Sequence, residues 1–232
     1  MAQPFENLIA GRHNVVLLGE AGCGKSEIAL NLATLMAGRG ETHLFDMDQT
    51  KPLYRSRDVR DAMKKYGVVF HCERQFFDAP TLVGGVAESL GAQDRVTIMD
   101  VGGNDTGARL IGGFSRLLDR DDAIVLYVVN PYRPWSKDAE SIDCTLSAIL
   151  KVSHLRQFHI ISNPNLGFET TAEEFAAGID KTNQMLERYV PVEGACVREN
   201  VYPTVAKAIE LPLLKMHLYL TYEWNTENKE EI

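Results

Sequence analysis

A chain of 232 residues with 45% hydrophobic and 24% charged side chains can bury a sizeable core, and one α/β domain spanning residues 1–232 is expected. Its formal net charge of −8 argues against broad electrostatic attachment to nucleic acid or to an anionic membrane surface. No run approaches the roughly 18 consecutive apolar residues a membrane span needs. MAQPFENLIAGRHN lacks a basic start followed by a long apolar core, so no secretory leader is expected. The four cysteines, Cys23, Cys72, Cys144 and Cys196, form no CxxC pair, which speaks against a disulfide framework or zinc site and fits a cytoplasmic protein.

His13–Leu18 is a short apolar run closed by Gly19, as a buried parallel strand requires. From Lys25 to Ala37, Ile28, Leu32 and Met36 recur every four positions, so a helix with one buried face follows. Thr42–Met47 predicts a second strand, and the charged segment Tyr54–Tyr66 an exposed helix or ordered loop. Val68–Cys72, Arg95–Asp100 and Ala123–Asn130 read as further strands, the last rich in β-branched residues. Ile142, Leu146, Ile149 and Leu150 mark a helical stripe, Gln157–Asn163 a strand and Thr171–Tyr189 a helix. The segment PLLKMHLYLTYEW predicts a final strand or packing segment, and the polar, acidic last ten residues a frayed end. Strands alternating with helices imply a mostly parallel sheet covered on both faces, an α/β fold in three layers.

Gly19-Glu20-Ala21-Gly22-Cys23-Gly24-Lys25-Ser26 matches GxxxxGK[ST] at every fixed position, between an apolar strand and an amphipathic helix. Glycines let the backbone curl so that successive N–H groups point at phosphate oxygens, and the helix N-terminus adds partial positive charge. Lys25 then reaches the β- and γ-phosphates, and the Ser26 hydroxyl is placed to ligate Mg²⁺. Glu27, next in the chain, joins this nucleotide-contacting set. Cys23 faces a helix N-terminus, which favours a lowered thiol pKa, although passive occupancy of a variable motif position is the simpler reading.

Three carboxylates fall at strand ends, on the sheet edge where open α/β folds bind ligands. Asp100 precedes Val101-Gly102-Gly103 and suits the Mg²⁺ shell. Of Asp46 and Asp48, one would support the metal's water shell and the other orient an attacking water; capping of the next turn is the alternative for each.

GEAGCGKS, FDMDQ and IMDVGG together resemble the nucleotide-binding domain shared by the MinD/ParA and CobQ/CobB proteins, in the SIMIBI branch of P-loop NTPases. The resemblance spans Asn14 to Asn163. It implies that Asp48, second in the D-x-D formed with Asp46, orients the hydrolytic water; that Ser26, Asp46 and Asp100 attend Mg²⁺; and that Asn163 reads the base. Asn130-Pro131 resembles the Asn-Pro that closes the strand after the Mg²⁺ aspartate. MinD/ParA proteins carry a signature lysine after the first loop glycine, where this chain has Glu20. A glutamate cannot stabilise phosphate charge, so a sandwich homodimer would need another cation. Arg55, Arg57 and Arg133 are candidates, with a solvated surface place the simpler reading for each. ISNPNLG lacks the N-K-x-D pattern of GTP-binding relatives, which favours ATP over GTP.

The resemblance implies a Mg-ATP-binding switch or weak ATPase acting on a protein partner, with a homodimer possible and no stable attachment to nucleic acid or membrane. A CobQ/CobB-like small-molecule kinase or ligase and a metallochaperone GTPase are the alternatives. Lys51–Arg60 suits a switch segment or a solvated helix. VGGNDTGARLIGGF suits a flexible second switch or close packing of helix on sheet. Asn130–Asp138 has the composition of a contact surface, and suits equally a segment over the nucleotide or a stiff loop held by its two prolines. His71-Cys72-Glu73 could ligate metal, though no second cluster accompanies it.

Overall fold

The computed structural model describes residues 2–48, 57–72, 84–103 and 105–220. Among the described residues, nine strands form one parallel sheet: β1 (Gln3–Pro4), β2 (Asn14–Leu18), β3 (Glu41–Met47), β4 (Val68–Cys72), β5 (Arg95–Val101), β6 (Ala123–Val129), β7 (His159–Ser162), β8 (Val192–Arg198) and β9 (Pro212–Met216). Their order across the sheet is β1-β9-β8-β7-β6-β2-β5-β3-β4. The helices are α1 (Lys25–Met36), α2 (Arg57–Lys65), α3 (Val86–Gly91), α4 (Asp105–Ile111), α5 (Ser115–Leu118), α6 (Ala139–Ser153), α7 (Ala172–Leu186) and α8 (Tyr202–Val205).

The period of two along the strands divides the core between two faces. On β2, Val15 and Leu17 join Ile28, Leu32 and Met36 of α1, while Val16 and Leu18 join Ala108 and Ile111 of α4 and Ile142, Leu146 and Ile149 of α6. A smaller cluster sets Phe175 and Ile179 of α7 against Ala195, Val197 and Leu213. Strands buried on both faces are near-continuously apolar, and β6, AIVLYVV, is buried throughout. Two hydroxyl pairs are buried inside the core. The Ser162 and Thr182 hydroxyls are 2.9 Å apart, as are those of Ser89 and Thr97 at 2.8 Å.

Helix ends follow local chemistry. Thr171 and Glu174 form a reciprocal capping box that starts α7, and Asp138 caps α6 by accepting from the Ser141 N–H at 2.8 Å. His154, with φ 57°, ends α6 in the left-handed conformation.

The segment VGGNDTGARLIGGF contains a helix packed on the sheet, one of its two expected readings. Residues Asp105–Ile111 are helical, and Ala108 and Ile111 are buried against the sheet. The helix Arg57–Lys65 lies within the charged segment read as helix or ordered loop. Lys51–Ser56 of the switch reading, with Arg55, and Glu73, Asn104 and the last ten residues lie outside the described residues, as do the side chains of Arg57 and Asp58.

Candidate nucleotide-binding site

The phosphate loop leaves β2 at Gly19 and enters α1 at Lys25, at the carboxyl edge of the sheet. Gly24 is the hinge of that entry: it caps α1 with φ 100°, a backbone that L side chains rarely adopt. A Cβ there would also stand 2.3 Å from Asn163 Nδ2. That amide donates to Cys23 O at 2.8 Å, and the Asn163 N–H donates to Val129 O at 2.8 Å, so the end of β7 clamps the loop.

Lys25 is only 4% exposed. Its ammonium donates to Gly19 O at 2.8 Å and Glu20 O at 2.9 Å, which holds the charge over the loop. The Ser26 hydroxyl donates directly to Asp100 Oδ2. This contact follows from topology: β2 lies beside β5, with Leu17 opposite Asp100. On the other side of β5, Asp46 of β3 is level with Asp100. Asp46 Oδ1 accepts from the Asp48 N–H at 3.1 Å. Asp48 Oδ1 lies 3.2 Å from where a Cβ on Gly102 would stand. Gly103 packs against the loop itself, since a Cβ there would lie 2.5 Å from Ala21 N. The sheet therefore gathers Lys25, Ser26, Asp46, Asp48 and Asp100 at one edge.

The donor set suits Mg²⁺, a hard cation that takes few protein oxygens and keeps waters: the Ser26 hydroxyl and the Asp100 carboxylate are in contact, with a second carboxylate, Asp46, level with Asp100. The curled loop and buried Lys25 suit a phosphate chain.

Glu20 is held by bonds to α6 and to the loop itself. Its carboxylate accepts from the Thr145 hydroxyl on α6 and from the Ala21 N–H, the latter at 3.3 Å. Arg133, by contrast, lies on the loop, with Nε donating to Gly22 O at 3.2 Å. Thr145 stands on α6 with no sequence pattern that singles it out. The segment after β6 is fixed by Asn130, whose Nδ2 donates to Asn165 O at 2.9 Å and whose Oδ1 accepts from the Tyr132 N–H at 3.1 Å.

Beside the loop opens a small cleft. Gly24, Glu27, Asn163, Pro164, Val197 and Leu218 are among the residues lining it. Asn163 thus lies between the loop and the cavity. The Glu27 carboxylate accepts from the backbone N–H groups of Tyr219 and Leu220, and burial lifts its pKa above the ordinary value. That second wall, from β8 and the C-terminal segment, carries no motif.

His71 and Cys72 are engaged elsewhere. His71 Nε2 and His43 Nδ1 are 2.9 Å apart, and Cys72 Sγ accepts from Arg60 Nη2 at 3.1 Å. Among the described residues no group of three His, Cys, Asp or Glu side chains could hold a metal ion, and no helix is long and apolar enough to cross a membrane.

Residues 3–93 match the family model of the magnesium chelatase subunit ChlI, which covers under half of the chain. No curated protein sequence matches. Among solved structures, chloroplast FtsY from Physcomitrella patens is 14% identical over 79% of this chain and 58% of its own, with a TM-score of 0.51. The signal recognition particle receptor FtsY from Elizabethkingia anophelis, solved in complex with GDP, is 16% identical over 80% and 57%, with a TM-score of 0.45. The MinD cell division protein of Aquifex aeolicus is 16% identical over 84% and 85%, with a TM-score of 0.46. The chain spans less than two thirds of the length of these FtsY chains. The parallel sheet, the loop between β2 and α1 and the likeness to chloroplast FtsY together give this chain the fold of the SIMIBI-class P-loop NTPases.

Proposed function

We propose that this chain binds a Mg²⁺–nucleoside triphosphate, ATP in preference to GTP, and acts in the cytoplasm as a weak ATPase or nucleotide switch on a protein partner. The observation that carries the reading is the contact of Ser26 with Asp100 beside the buried Lys25 ammonium. Lys25 and the loop amides hold the β- and γ-phosphates, Ser26 and Asp100 hold Mg²⁺ with Asp46 behind them, and Asp48 orients the water for in-line attack. Mg²⁺, when bound, neutralises charge on the phosphates. Asn163 sets the base end, and Asn163-Pro164-Asn165 offers no carboxylate to pair with the donors of guanine.

Glu20, tied to Thr145, withholds the cation that a MinD/ParA-like partner would present, while Arg133 on the loop supplies positive charge from the same chain. A second copy or another protein would approach the carboxyl edge, where Trp135 is 57% and Leu166 53% exposed on loops tied together by Asn130.

Calorimetric titration with Mg-ATP and Mg-GTP, paired with phosphate release, tests this. Wild type should bind ATP more tightly, Lys25→Ala should lose binding, and Asp48→Asn should bind yet release phosphate more slowly. Equal binding by wild type and Lys25→Ala would refute the site.

A further inference from the structure

Beyond β9 the chain leaves the sheet, so the backbone N–H and C=O groups of residues 217–220 need new partners. Two side chains of α1 provide them. Asn31, 5% exposed, pairs with His217 from both ends of its amide: Nδ2 donates to His217 O at 2.8 Å, and Oδ1 accepts from the His217 N–H at 2.8 Å. One helical turn earlier, the Glu27 carboxylate accepts from the N–H groups of Tyr219 and Leu220. Tyr219 adds ring-edge contacts with Tyr66 and His217, at 6.3 and 4.8 Å between centroids. The outcome is a strap laid on α1. Successive side chains of an extended chain point to opposite sides. Between His217 and Tyr219, Leu218 lines the cavity beside the phosphate loop, together with Glu27, Gly24 and Asn163.

Two polar residues at positions i and i+4 of a helix that packs on a sheet are costly unless paired, because buried polar groups without partners are destabilising. The phosphate loop does not need them, since its own bonds run to Lys25, Asn163 and Asp100. Their partners are the strap, and Leu218 of the strap lines the cavity.

We infer that the strap His217–Leu220, held by Asn31 and Glu27, is the specificity-determining wall for the base of a bound nucleoside triphosphate. This rests on the nucleotide reading above. It adds that recognition of the base, as distinct from the phosphates, is assigned to the C-terminal segment through two residues on α1. Because Glu27 follows Ser26 directly, the anchor of the strap and the proposed Mg²⁺ ligand sit in the same helical turn.

The test compares a ligand that has a base with one that lacks it. Affinities for Mg-ATP, Mg-GTP and Mg-tripolyphosphate are measured on the full chain for wild type, Asn31→Ala and Leu218→Ala. Leu218 is only half-buried, so its truncation leaves the core in place even if Asn31→Ala perturbs folding. Both variants should weaken the preferred nucleotide about tenfold or more, with Asn31→Ala leaving tripolyphosphate within about twofold. Amide exchange at Tyr219 and Leu220 should slow in wild type on adding the nucleotide and not on adding tripolyphosphate. Nucleotide affinity unchanged in both variants would overturn the inference. So would wild type binding tripolyphosphate as tightly as the nucleotide, a result that leaves the phosphate site standing. Wild type binding neither ligand would remove the nucleotide reading itself, and the strap's role with it.

Discussion

Replacing Gly24 by alanine probes how the loop is held between β2 and α1. Two costs arise from the structure. A Cβ at φ 100° incurs a left-handed backbone penalty of about 1–2 kcal/mol. The same Cβ would stand 2.3 Å from Asn163 Nδ2 and displace the amide from its bond to Cys23 O, a loss of about 1 kcal/mol. The sum is about 2–3 kcal/mol. In a chain of this size each kcal/mol moves the melting midpoint by roughly 2–4 °C, so Gly24→Ala should melt about 4–12 °C below wild type. A cycle with Asn163→Ala separates the two costs: with the amide gone, Gly24→Ala should cost only the backbone share, a coupling of about 1 kcal/mol. Gly91→Ala is the control, since it ends α3 with open space around its Cβ and no positive φ, and its midpoint should not fall. Thermal unfolding monitored by circular dichroism reads all five proteins. A Gly24→Ala midpoint equal to wild type would refute the reasoning, and equal costs with and without the Asn163 amide would refute the clash.

Thr182→Val should leave the buried Ser162 hydroxyl without its partner and cost about 1–3 kcal/mol in denaturant unfolding, while adding Ser162→Ala should recover much of the loss. Thr171→Ala removes half of the capping box on α7 and should cost about 1 kcal/mol by the same measurement. Burial, then the charges of His43 and Arg60, hold the His71 imidazole below its ordinary value of 6.5. Its folded pKa is therefore below the unfolded one, so the stability it contributes is whole above pH 6.5 and is lost as pH falls through the folded value. His71→Gln should flatten the decline in unfolding free energy between about pH 8 and about pH 5; an unchanged slope would show that His71 does not titrate with folding.

The loop and the strand-end carboxylates were legible because their signals are local: fixed glycines ahead of Lys25 and Ser26, and Asp100 closing an apolar run. The level placement of Asp46 beside Asp100 follows from parallel register, which a single sequence only suggests. Strand β8, VEGACVR, escaped notice because a glutamate and a glycine interrupt its apolar residues, and α3 because six residues are too few to show a period. The glycines around residue 103 suit either a flexible switch or close packing, and the packing is what the structure shows: Gly103 answers a close approach to Ala21 and a helix follows it. The strap was illegible for a different reason. Asn31 meets His217 across 186 residues through side-chain bonds to backbone, and such bonds leave no periodicity in either segment. Arg133 is similar: its place on the loop depends on how Asn130 folds the segment after β6.

The proposal that the loop from Gly19 to Ser26 holds the phosphates of a nucleoside triphosphate is tested most directly by the shift in melting midpoint on adding Mg-ATP. At about 100 times its Kd the ligand should stabilise wild type by roughly 2.7 kcal/mol, and Lys25→Ala should show no shift. A wild-type midpoint unmoved by Mg-ATP and Mg-GTP, or a shift of the same size in Lys25→Ala, would contradict it.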